Sequence, residues 1–394
     1  MKLAHHFYEC FKMPQTTQVV NKEKSGSKDR FWHPRMWDGM TVSHWYKQAA
    51  KGHFKVAVSG IPMFAIISGL SVLNSGFSAL QSLFYGKKIR DITIDKQPIF
   101  VIGHWRSGTT LLHEYMMRDP QFTCSDTYSC FCPTHFLHTR HYMRPMVSFL
   151  MPKKRPMDNM ATGFDHPQED EFALCALGLG SPYLNILYPN NPPIDAEYLT
   201  LKNLSEQDQQ QWLDGLEYYL RCLTVADNKQ IVLKSPPHTG RIRTILKRFP
   251  NAKFVHIHRN PYTLFASTFN LWIQLSKVHG IQRPKGIGLE EQVFAQFETM
   301  YQSFSEDLEI LKPDQFVEVA FTDLTSNPVR EMEKIYTTLA IGNFESVGKN
   351  FEQFAGTQKN YQKNRFEIAP ELEEKISQRW KWYIDRYAYL PPER

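Results

Sequence analysis

The chain has 394 residues, with 46 Lys and Arg against 40 Asp and Glu, a formal net charge of +6, and 42% hydrophobic residues. This balance, with a pI near 8.8, is too weakly basic to argue for nucleic acid and too apolar for a disordered chain. Length admits one large α/β domain or two average ones. The six cysteines form no CxxC pair, and Cys130-Phe-Cys132 has the wrong spacing for a zinc knuckle, so reduced thiols and no metal are expected. No signal-peptide pattern opens the sequence, which makes a reducing cytoplasm the default compartment.

Residues 1–30 are mostly polar, with Lys22, Lys24 and Lys28 around Ser25-Gly26-Ser27, and are expected to lie loosely on the surface. Phe31 to Trp37 then packs three aromatics into seven residues, which predicts an anchor onto the main body or onto a bound molecule, the first being preferred. From Val56 to Tyr85, thirty residues carry no formal charge between Lys55 and Lys87. The first part, Val56 to Leu73, has the length to cross a bilayer, but Ser, Gly, Pro and Asn dilute it. The preferred reading is packed helix, either one buried helix or two broken near Asn74-Ser75-Gly76; a membrane-surface segment and a true span remain open alternatives. Residues 1–94 thus read as a helical N-terminal extension.

Ile99 to Ile102 is an unbroken apolar run suited to a buried parallel strand, entering a turn framed by Gly103 and Gly108. From Thr109 the pattern is helical, with Leu111, Leu112, Tyr115 and Met116 on one stripe. Strand, glycine-framed loop and helix make an anion site, because the free N–H groups and the positive dipole end of the helix converge on the loop. Compared with the GxxxxGK[ST] phosphate loop, Gly103, Gly108 and Thr110 keep their places, Thr109 replaces the lysine, and the positive charge moves to Arg106. Such a loop is poorly equipped for γ-phosphoryl transfer, yet suited to clamp a single 5′-phosphate.

Cys124 to Arg140 is aromatic and loop-like, a wall for an acceptor. The carboxylates Glu169, Asp170 and Glu171 run into the apolar Phe172 to Leu177. They either satisfy a helix dipole or supply a general base beside an apolar wall. Ser205 to Asp208 resembles a capping box for a structural helix. Gln230 to Lys234 is another strand, and its terminal Lys234, followed by His238, stands where open parallel sheets bind ligands. Ala252 to Arg259 is a further strand, with Asn260 as N-cap and Pro261 at the first helical position, and Ser267 lies eight residues after Arg259. Helix from Leu289, strand Phe316 to Phe321, helix Pro328 to Leu339, a basic run 357–365 and one final helix carrying Leu372 to Tyr387 complete the chain.

The string Arg106-Ser-Gly-Thr-Thr110 resembles the 5′-phosphosulfate loop of sulfotransferases that use 3′-phosphoadenosine 5′-phosphosulfate (PAPS), and Arg259 with Ser267 resembles the 3′-phosphate motif of the same family. The strings His-Trp-Arg-Ser-Gly-Thr-Thr, Pro-Gln-Glu-Asp-Glu-Phe-Ala-Leu and Leu-Lys-Ser-Pro-Pro-His-Thr are similar to a bacterial-type group. The resemblance covers about residues 95 to 390. It implies a three-layer α/β/α domain over 95–394, with a central parallel sheet related to P-loop nucleoside triphosphatases. PAPS would be the donor co-substrate, leaving as the 3′,5′-bisphosphate (PAP), with no metal. Arg106, Ser107, Gly108, Thr109 and Thr110 would hold the 5′-phosphosulfate, and Arg259 and Ser267 the 3′-phosphate. Lys359, Lys363 and Arg365 would form a basic C-terminal loop over the donor.

Lys234 matches the lysine of the Lys-Thr-His string of cytosolic members; His238 matches its histidine loosely, because Ser-Pro-Pro intervenes. Asp126 lies next to the place of a catalytic glutamate in Golgi and tyrosylprotein relatives, but Thr127 occupies the matching position. The base therefore stays open among Asp126, Glu169, Asp170, Glu171 and His238. The acceptor would be a hydroxyl or amine of a small molecule or glycan, with a sugar, phenol or lipid equally suited. Two rivals remain: a P-loop kinase or ATPase, and a non-catalytic protein attached to a membrane surface through 56–85.

Overall fold

The computed structural model describes residues 19–21, 33–152, 163–358 and 366–391, with backbone alone at 19–21, 366 and 367. Its strands, in chain order, are β1 (Val19–Asn21), β2 (Ile99–Ile102), β3 (Phe122–Cys124), β4 (Gln230–Lys234), β5 (Lys253–His258), β6 (Phe316–Ala320) and β7 (Phe366–Ile368). Five of them form one parallel sheet in the order β3-β4-β2-β5-β6, while β1 and β7 pair antiparallel in a separate ribbon. The central strand β2 is buried at all four positions, because both sheet faces are covered.

Side chains alternate across a strand, so the uninterrupted apolar run of β2 serves two cores at once. Ile99 and Val101 join a cluster with Val232, Val255, Ile257, Val317 and Val319. Phe100 and Ile102 join another with Ile231, Leu233 and Phe254. The first face is covered by the helix that follows β2 (Thr109–Met116) and by Pro328–Leu339, through residues such as Leu112, Met116, Ile335 and Leu339. The second is covered by the helices Glu206–Ala226, Pro261–His279 and Leu289–Asp307, through Leu216, Leu264, Phe265 and Phe297. This is the expected three-layer α/β/α architecture. Ser205 caps the first of these helices, accepting from the Asp208 amide at 3.1 Å, as its sequence predicts.

The N-terminal helices α1 (Val42–Lys51) and α2 (Ile61–Asp91) share the second core, to which Met36, Trp37, Trp45, Ile67 and Ile89 contribute. Trp37 is the anchor expected of the aromatic run, its indole N–H donating to the His279 carbonyl at 2.7 Å; Phe31 and Trp32 lie outside the described residues. Of the two packed-helix readings the unbroken one holds, since no break occurs near Asn74-Ser75-Gly76. Ser71 and Ser75 return hydrogen bonds to Ser68 and Ser71 carbonyls, and Asn74 donates to the carbonyls of Asp38 and Met40, so tertiary partners carry the helix through these weak formers. The single final helix is instead two, Pro370–Arg379 and Lys381–Tyr387, meeting at buried Trp380. The five described cysteines are unpaired.

Candidate active site

Three segments leave neighbouring strands at the same end of the sheet: 103–108 after β2, 235–240 after β4, and 259–260 after β5. The first loop is a backbone cradle. Gly103 has φ +144° and Gly108 φ +111°, and added Cβ atoms would meet the Ile257 carbonyl oxygen and the Phe321 ring, each at 2.4 Å. Both positions therefore need glycine. Arg106 also adopts a left-handed conformation, φ 68°. The loop is braced from below, Gly103 N–H donating to Thr239 Oγ1 at 2.8 Å and Ser107 N–H to the His104 carbonyl at 3.1 Å. The Ser107 hydroxyl is buried and has no hydrogen-bond partner among the described residues. An orphaned hydroxyl in a cradle of N–H groups at a helix start fits an oxyanion.

The second motif reaches the first directly. Asn260 caps the helix Pro261–His279, accepting from the Tyr262 amide, and this helix presents Ser267. Arg106 Nε donates to Ser267 Oγ at 2.9 Å, and Arg259 Nη1 donates to the Arg106 carbonyl at 3.1 Å. The Arg259 guanidinium lies 4.3 Å from the Phe321 ring centre, while its backbone N–H and carbonyl are both bonded by the Tyr383 hydroxyl at 3.1 Å. Residues far apart in the chain thus come together as one cationic surface beside the loop.

At the end of β4, Lys234 Nζ donates to Glu169 Oε1 at 2.8 Å and to Thr110 Oγ1 at 3.5 Å. The lysine side chain is 1% exposed and the glutamate 12%, so the carboxylate is the more accessible partner. Glu169 is the N-cap residue of the helix Asp170–Ala176. Its other oxygen accepts from the Tyr183 hydroxyl, which in turn accepts from the Trp105 indole N–H at 2.8 Å. Burial, and then the Glu169 charge, push the Tyr183 phenol well above its ordinary range, so it stays a proton donor in this bond.

The other proposed bases have different partners. Asp126 closes a capping box with Ser129 and pairs with Arg140 at 2.5 Å. Asp170 meets His238 Nε2 at 2.6 Å and the Ser235 hydroxyl at 2.8 Å, and both members of the pair are fully buried. Burial alone would raise the Asp170 carboxyl, but His238 and Ser235 outweigh it and leave it lowered. Glu171 is locked to Arg241 at 2.5 Å, also without exposure. None of these contacts reaches the phosphate loop. Lys363 and Arg365 lie outside the described residues. Tyr183 is a site member that sequence reading passes over, since it sits in no spaced pattern; Trp105 lies inside the string His-Trp-Arg-Ser-Gly-Thr-Thr, which assigns it no role.

The model of the Sulfotransferase family matches residues 98–345. The omega-hydroxy-beta-dihydromenaquinone-9 sulfotransferase Stf3 of Mycobacterium bovis is 35% identical over 363 residues, 92% of this chain and 93% of that protein, and its Mycobacterium tuberculosis counterpart is equally similar. Among solved structures, sulfotransferase STF9 of Mycobacterium avium matches with a TM-score of 0.64 at 16% identity, covering 90% of this chain and 98% of that one. Sulfotransferase STF1 of M. tuberculosis matches with a TM-score of 0.59 at 17% identity, covering 89% and 94%. These two likenesses are of fold.

Proposed function

The chain belongs to the sulfotransferase family, and on that premise we propose that it moves a sulfuryl group from PAPS to the hydroxyl of a lipid-like acceptor. The loop 103–110 with Arg106 holds the 5′-phosphosulfate; Arg259 and Ser267 hold the 3′-phosphate and select against ATP. Glu169 takes the acceptor proton as the acceptor oxygen bonds to sulfur. Lys234 donates to the bridging oxygen as its bond to sulfur breaks, and PAP and the sulfate ester leave. The observation that supports this reading most is that Lys234 bridges Glu169 and Thr110, a carboxylate and a cation joined to the first helical turn after the anion cradle.

The acceptor class follows from the relative that acts, by its name, on a hydroxylated dihydromenaquinone. An acceptor of that kind also favours association with a membrane surface through 56–85. Residues 95–394 act as the transferase unit in this reading and 1–94 as its extension.

Calorimetric titration with PAP, AMP and ATP–magnesium tests the donor, on wild type and Arg259→Ala. Tight PAP binding that weakens roughly 10- to 100-fold in the variant, with AMP and ATP weak throughout, is expected. Preference for ATP, or indifference to the substitution, sinks the donor assignment. Product analysis with PAPS and an ω-hydroxylated isoprenoid quinone tests the acceptor.

A further inference from the structure

Helix α2 turns an apolar face outward and a partly polar one inward. Its inward stripe carries, between the buried Ile67 and Ile89, a row of polar residues: Ser68 accepts from the Trp45 indole at 2.9 Å, Asn74 donates to the Asp38 and Met40 carbonyls, Ser75 accepts from the Val42 amide at 3.0 Å, and Gln81 accepts from the Leu137 amide at 2.9 Å. Its outward stripe is apolar, with Val72 63%, Leu83 75% and Phe84 64% exposed, and Ile61, Ile66, Leu73 and Leu80 also exposed. A helix that faces water places these classes the other way round.

The patch continues beyond the helix. The Phe84 ring stacks on His138 at 5.5 Å, which meets Tyr142 edge-on, and the following turns expose Met146 and Phe149. Tyr46 and Phe54, half-exposed, form the aromatic group at the other end of the helix. Exposed cations flank both ends, Lys47 and Lys55 at one and Lys87 and Lys88 at the other. An apolar band between aromatic and cationic ends is the pattern of a surface that meets acyl chains and anionic headgroups. Self-pairing of two such helices, parallel or antiparallel, brings lysines against lysines.

Among the described residues α2 with its short lead-in, Val58–Asp91, is long and apolar enough to cross a membrane. Its middle, from Ser68 to Gln81, is nevertheless bonded to the protein body, so that stretch cannot be surrounded by lipid. We infer that α2, with Met146 and Phe149, is a docking surface that lies along one anionic leaflet without crossing it. The inference rests on the lipid-like acceptor for its purpose, but not for its observations. The docked layer adjoins the site: Phe136–Thr139, packed on α2, follows Cys130, whose thiol donates to the Glu169 carbonyl.

The test is flotation of the full chain with phosphatidylcholine vesicles, with and without phosphatidylglycerol, for wild type, Leu83→Glu/Phe84→Glu and Phe149→Glu. Wild type should float with the anionic vesicles, lose most binding in high salt, and be released by alkaline carbonate. The double variant should bind about tenfold less or weaker, while its PAP titration stays that of wild type. Three results overturn the proposal: no flotation of a wild type that binds PAP, retention after carbonate as for a span, or a wild-type dimer in light scattering that Leu83→Glu/Phe84→Glu dissolves. Flotation without PAP binding leaves docking intact and removes the donor reading instead.

Discussion

Lys234 and Glu169 form an ion pair, 2.8 Å between Nζ and Oε1, with the hydroxyl of Thr110, in the first helical turn after the glycine-framed loop, 3.5 Å from the same nitrogen. One buried cation therefore has two claims on it. In the proposed reaction, a phosphosulfate in the loop would give the lysine a second anion to serve and loosen its hold on the carboxylate that acts as the base.

Glu169→Gln keeps the shape and the Tyr183 contact but cannot take a proton. Its kcat should fall about 10²- to 10⁴-fold with PAP affinity within a few-fold of wild type. A variant that keeps near-normal kcat would transfer the base role to another residue.

Tyr183→Phe removes one of the two donors that orient Glu169 and leaves the Trp105 indole without its acceptor. A drop in kcat of about tenfold, from loss of one hydrogen bond worth about 1 kcal/mol or somewhat more, is expected with little change in PAP binding. Unchanged turnover would show that the carboxylate needs no such support.

His238 is a candidate base by its place in the sequence and a buried partner of Asp170 in the fold. The two readings separate in His238→Ala. Breaking a buried pair costs about 3–5 kcal/mol, so the melting temperature should drop sharply. At a temperature where the variant is folded, kcat should remain within about tenfold of wild type. A stable variant with abolished turnover would restore the histidine to the chemistry.

Much of this site is legible in the chain because its parts are local. Gly103, Gly108, Arg259 and Ser267 declare themselves by spacing within one strand, loop and helix. What joins them is not local: the Arg106–Ser267 bond spans 161 positions and depends on β2 and β5 being neighbours. The carboxylates show the same limit. Glu169, Asp170 and Glu171 are adjacent, yet successive residues at a helix start point about 100° apart, and their partners Lys234, His238 and Arg241 lie 65 to 70 positions later. The uninterrupted course of α2 is hidden for a like reason, since Asn74 is satisfied by carbonyls of another segment.

Gly108→Ala should damage the loop without touching a charge. The new methyl meets the Phe321 ring at 2.4 Å with φ at +111°, and that ring also carries the Arg259 guanidinium. Strain of about 1–3 kcal/mol should therefore appear both as lost stability and as PAP affinity weakened about tenfold or more. Undiminished affinity would mean that the cradle is not where the donor sits.

Acid should destabilise the protein from about pH 6.5 downward. Burial holds His104, His113, His258 and His279 down to about 3, and His135 to about 4, while in the unfolded chain each titrates near 6.5. Between those values the unfolded state binds protons that the folded state refuses, so stability rises with pH through this window and is lost as pH falls below about 6.5. Each imidazole contributes up to about 2 kcal/mol of that loss by pH 5. Asp38, pushed up to about 6 by burial, acts in the opposite sense and offsets part of it. Thermal melts at about pH 7, 6 and 5 should show a steep decline with net proton uptake on unfolding. A melting temperature that stays flat across this range would mean that these histidines are not held neutral in the fold.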